Sequence, residues 1–87
     1  MTLEDLQYLF ETVTITELQQ NLTTRIIFGY ARVQLDQIPA HLFDSPGEWR
    51  LLSDIHHQYR HTHSVSPRQI TAVLIILKKH SNLIQVW

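Results

Sequence analysis

The chain has no cysteine, two glycines, three prolines and a formal net charge of only −1. Each scarcity excludes something. Without cysteine there is no disulfide framework, no zinc ribbon and no thiol nucleophile, and an intracellular setting is the natural expectation. With glycine only at positions 29 and 47, no glycine-rich loop can cradle a phosphate by close backbone approach. So few chain breakers leave most residues to regular elements. The longest apolar run, Ala72 to Leu77, falls far short of the roughly 20 residues that span a bilayer. The opening "MTLEDLQYLF" carries acids where a secretory leader carries bases. A soluble, cytoplasmic protein with no membrane partner is expected.

What is present is a set of helix starts. At 87 residues the chain reads as a single domain over 1–87, small enough that its core is marginal alone and homodimerisation is a live option. Ser or Thr followed three residues later by Asp, Glu or Gln satisfies orphan amides at a helix N-terminus. Such pairs occur at Thr2 and Asp5, Thr16 and Gln19, Ser45 and Glu48, and Ser66 and Gln69, the last two with proline at the first helical position. Behind them run apolar stripes at spacings of three and four: Leu3, Leu6, Leu9 or Phe10 and Val13; then Trp49, Leu52, Ile55 or His56 and Tyr59.

The second segment is double-natured. Leu18, Leu22, Ile26, Gly29 and Val33 share one helical face, yet "TTRIIFGYARVQL" is rich in β-branched and aromatic residues. The reading adopted is a mainly α fold, a small bundle of about four helices closed by a short C-terminal extended segment. The alternative is α+β, with a strand at about 24–35 pairing with 83–87. "DQIPAHLFDSPG" separates two halves of opposite charge. Residues 1–48 carry seven acids against Arg25 and Arg32; residues 49–87 carry five basic residues against Asp54, together with five of the six histidines. Such a dipolar chain suits an anionic partner on one side, or self-association.

The helix expected at 67–80 admits two functions. Its core stripe is Ile70, Val73, Leu74 and Leu77, which leaves Ile75 and Ile76 to meet the N-terminal helices or a protein partner, with Trp87 as a further docking group. On the far face, Arg68, Gln69 and Thr71 have the types that read base edges, and Lys78 and Lys79 the types that bind phosphate. The following "SNLIQVW" resembles the turn and first wing strand of a winged-helix domain, a resemblance of pattern that implies DNA or RNA binding by this helix. Against it stand the low net charge and the apolar run.

Chemistry finds less support. Asp54, His57 and His61 share a helical face, but the first and last are seven residues apart, about 10 Å along the axis, and cannot converge on one ion. Ser53, Asp54 and His57 have the types of a catalytic triad without an oxyanion hole. No catalytic residue, metal site or cofactor is expected. The leading expectation is a small non-enzymatic intracellular regulator, adaptor or inhibitor that binds protein through helical surfaces; the alternative is a winged-helix-like nucleic-acid binder.

Overall fold

The computed structural model describes residues 1–85, and in it the capping signals become five α-helices: α1 (Leu3–Thr12), α2 (Ile15–Asn21), α3 (Thr24–Gln37), α4 (Pro46–Thr62) and α5 (Pro67–His80). Two short 3-10 turns, Ala40–Leu42 and Ser81–Leu83, complete the chain. The fold is mainly α as expected, and no strand occurs among the described residues. Trp87 lies outside them.

Three of the four expected starts are in place. Thr2 and Asp5 exchange hydrogen bonds of 3.1 Å, and Ser66 and Gln69 form the same reciprocal box. Ser45 accepts from the Glu48 amide at 3.2 Å. The fourth is displaced: α2 is capped by Thr14, whose hydroxyl accepts from the Glu17 N–H, and not by Thr16. The continuous second helix is also divided. Leu22 is extended and Thr23 caps the Ile26 amide at 3.2 Å, so the hydroxyl offers the backbone a fresh start one residue after α2 ends. Five helices therefore stand where about four were expected.

Residues 24–35, the candidate strand, lie within α3. Their β-branched character is overridden because the helix buries Ile27, Phe28, Tyr30, Ala31 and Gln34 along one side. Phe28 stacks on Tyr59 of α4 at 4.4 Å between ring centroids, and Tyr30 stacks on Phe10 of α1 at 4.5 Å.

Helix α5 is the hub, touching all four other helices. Val73, Leu74, Ile76 and Leu77 are all buried, which accounts for the dense apolar run: a helix packed on several sides has little polar face left. The radius of gyration, 11.9 Å, matches the roughly 12 Å of a compact chain this long. Polar staples fix the neighbours of α5. Lys78 Nζ donates to the Phe10 and Val13 carbonyls at 3.1 and 2.7 Å, closing the C-terminal end of α1. Gln7 reaches the Ser81 and Ile84 carbonyls, and Gln34 the Leu77 carbonyl at 2.8 Å. The α4 to α5 connection turns at His63, in left-handed backbone with φ 54°, and Gln58 and Gln69 exchange amide hydrogen bonds across it.

Candidate docking surface

The residues singled out on α5 fall in different surroundings. Ile75 is exposed at 44%, whereas Ile76 is buried at 4% between the helices. Of the expected partner-facing pair only Ile75 reaches the surface, because α5 is packed by other helices on several sides and Ile76 lies within that packing. On the face suited to nucleic acid, most side chains are engaged within the fold. Gln69 closes the α5 cap and pairs with Gln58. Thr71 accepts from Gln19 of α2. Lys78 is turned inward onto α1. Lys79 is ion-paired at 2.7 Å with Asp44 and 2.9 Å with Glu48. Arg68 is exposed and has no ion pair among the described residues.

Among the described residues, the histidine-rich stretch brings no three ligand-type atoms together. His57 and His61 face one another with ring centroids 4.3 Å apart, and both are exposed. Ligand-type side chains do converge elsewhere, at Asp44, Glu48 and His80, whose donor atoms lie within 4.8 Å of one another. The sequence reading missed this cluster. Glu48 sits where a capping-box partner would, but its carboxylate instead takes the Asp44 N–H, Lys79 and the buried His80 Nε2. Burial pushes the Glu48 carboxyl up, and the hydrogen bonds from Lys79 and His80 outweigh it, leaving the group below its ordinary value. Asp44 is lowered and Lys79 raised by their mutual hydrogen bond. Lys79 already supplies the cation between the two carboxylates, so the cluster is a latch from the α4 N-terminus to the α5 C-terminus. Its legible signal was electrostatic: acids at the start of one helix and "KKH" at the end of the next meet when the two run antiparallel.

A groove lies on the other side of the molecule. Helix α1 docks mainly on α5 and the turn at Ser81–Leu83, and it meets α3 through the Phe10 and Tyr30 rings. Beside that contact the two helices enclose a cleft of about 280 Å³ lined by Met1, Leu3, Leu6, Ile26, Gly29, Tyr30 and Val33. Leu3, Leu6, Ile26 and Val33 come from the two stripes that periodicity marks as core, yet each is only half-buried. Gly29 is exposed in the middle of α3, and a β-carbon placed there meets nothing within 4 Å. Packing within the chain does not require glycine at this point. A glycine inside a helix costs about 0.5 to 1 kcal/mol relative to alanine, and what it provides is an open floor against which another backbone can lie.

No family model, curated protein or solved structure matches the chain. Its function is therefore argued from the geometry.

Proposed function

We propose that the chain is a non-enzymatic protein-binding module, a small regulator, adaptor or inhibitor, that receives an amphipathic helix in the groove between α1 and α3. One observation carries this reading: two apolar stripes that ought to be core stop half-buried on either side of a glycine with empty space above it. At most about a third of Leu3, Leu6, Ile26 and Val33 is left to cover, so completing their burial contributes up to about 0.5 to 1 kcal/mol for each, a third of the 1.5 to 3 kcal/mol for a fully buried aliphatic side chain. A helix laid in such a groove with its apolar face down is a recurrent mode of peptide recognition. The reading needs no cofactor or catalytic group, and a cysteine-free chain suits a cytoplasmic setting.

The commitments of Gln69, Thr71, Lys78 and Lys79 support protein over nucleic acid as the ligand, because freeing those side chains for phosphate or bases would first break contacts that hold the fold. The test is a titration of isotope-labelled protein followed by amide chemical shifts. One ligand is an amphipathic helical peptide with an acidic polar face; the other is generic duplex DNA at low salt. Shifts confined to Leu3, Leu6, Ile26, Gly29 and Val33 with the peptide are expected. Salt-sensitive shifts centred on Arg68 and its neighbours with DNA, and none in the groove with peptide, would overturn the proposal.

A further inference from the structure

The groove has an opposite, and it is on the same molecule. Among the described residues the two most exposed large hydrophobics are Met1 at 73% and Tyr8 at 66%, the first just ahead of α1 and the second on it. Asp5 and Tyr8 share an outward face of α1 at a spacing of three, and Met1 lies beside them on the same surface, so two apolar groups flank an acid in one outward stripe. Helix α1 carries Glu4, Asp5 and Glu11 and no basic residue. Across the groove, Arg25 and Arg32 stand one turn before and one turn after Gly29 on the exposed side of α3. Arg25 has no ion pair among the described residues, and Arg32 has only an exposed one with Asp36 at 3.8 Å. A basic rim around an apolar floor thus faces outward on α3, and an acidic helix with protruding apolar side chains faces outward on α1.

Resting on the reading of the groove as a docking surface, we infer that its occupant is a second copy of this chain, in a two-fold dimer that lays α1 of each protomer over α3 of the other. A two-fold axis running along the groove, in the plane of the interface, brings this about, because it turns the two grooves to face each other and exchanges their sides: whatever α1 of one protomer contacts on α3 of its partner is contacted again in reverse. Tyr8 and Met1 then cover the floor at Gly29, where the missing side chain admits them. Asp5 and Glu4 come between Arg25 and Arg32. Both apolar surfaces, the outward stripe and the half-open groove, are covered by one operation. A chain of this size, whose own core is limited by its surface-to-volume ratio, gains burial in the same step. The charge pairing selects this arrangement over one in which α1 meets α1, where two acidic helices would face each other.

Sedimentation velocity of the full chain over a wide concentration range tests the inference. The wild-type protein should dimerise with a Kd on the order of micromolar to tens of micromolar, as fits a small interface. Tyr8→Ser removes the protruding ring, Gly29→Gln fills the floor, and Arg25→Glu with Arg32→Glu reverses the rim. Each should raise Kd by about tenfold or more, while circular dichroism shows the helical fold intact, since all four positions are exposed. A dimer that none of these variants weakens places the interface elsewhere and overturns the inference. So does a wild-type protein that stays monomeric throughout the range. In that second case the acidic amphipathic peptide separates the two ideas: if it binds the groove and Gly29→Gln blocks it, only the second copy is wrong as occupant, and if it does not bind, the docking reading falls as well.

Discussion

Replacing Gly29 with alanine should make the protein more stable, and the reason is specific to this position. Glycine in a helix interior is disfavoured because the unfolded chain loses more freedom there than at any other residue, by about 0.5 to 1 kcal/mol against alanine. That gain is usually cancelled where a side chain would collide or where the backbone is left-handed. Neither applies: Gly29 has ordinary helical backbone within α3, and an added β-carbon has no neighbour within 4 Å. The full propensity gain should therefore be realised. For a domain of 60 to 100 residues a change of 1 kcal/mol moves the melting temperature by about 4 to 8 °C, so a rise of roughly 2 to 8 °C is expected. Thermal and urea denaturation of the dilute protein measure it, at concentrations where association does not contribute. A melting temperature that falls would refute the reasoning, because it would mean that the space above Gly29 is filled within the monomer and that the groove is closed.

Leu74 is fully buried in the hub helix, so Leu74→Ala should cost about 2 to 5 kcal/mol, read as a lowered urea midpoint, and can approach the whole stability of so small a domain. Tyr30 buries a hydroxyl that completes no well-formed hydrogen bond, although Gln34 and Ser81 lie close to it, and burial pushes its pKa up to about 12. Tyr30→Phe keeps the stack on Phe10 and removes the poorly satisfied group, so stability should change by less than about 1 kcal/mol in the same melts. The Glu48 latch makes stability depend on acid. Its folded pKa lies below the unfolded one, so its contribution is complete above the ordinary glutamate value of about 4.3 and is lost as pH falls through the folded value. Glu48→Gln should cost about 1 to 2 kcal/mol at neutral pH and flatten the stability profile below about pH 4.5; an unaltered acid limb would remove the latch from the account.

The parts of this fold that could be read from sequence are those governed by local chemistry. Ser66 with Pro67 and Gln69, or Ser45 with Pro46, satisfy helix-end amides using residues within one turn, and no tertiary partner is needed to recognise them. The break between α2 and α3 was harder, since Leu22 continues the apolar period across it and only the hydroxyl of Thr23 tips the backbone out of the helix. Ile76 shows the limit of periodicity on α5. A stripe argument gives a helix one buried face, whereas α5 is covered on several sides, and which of Ile75 and Ile76 is buried depends on where the neighbouring helices cross it. The latch was overlooked for a related reason. Glu48 satisfied a local rule as a capping residue, and nothing nearby in sequence shows that Lys79 and His80, some thirty positions on, draw its carboxylate away. The groove lies between these cases. Its walls, Leu3 and Leu6 with Ile26 and Val33, were legible as apolar stripes, with Gly29 counted on the same face as the second, but only packing reveals that the stripes are left half-open.

The central claim, that binding takes place in the groove between α1 and α3 and not on the outer face of α5, is tested most directly by comparing Gly29→Gln with Ile75→Asp. Both positions are exposed, so both variants should fold, and each places a polar side chain on one of the two competing surfaces. The measurement is association, read by sedimentation of the chain itself and by the anisotropy of a labelled acidic amphipathic peptide. Gly29→Gln is expected to abolish or weaken it by about tenfold or more, with Ile75→Asp indistinguishable from the wild type. Loss of association in Ile75→Asp with full retention in Gly29→Gln would contradict the account and move the site to α5.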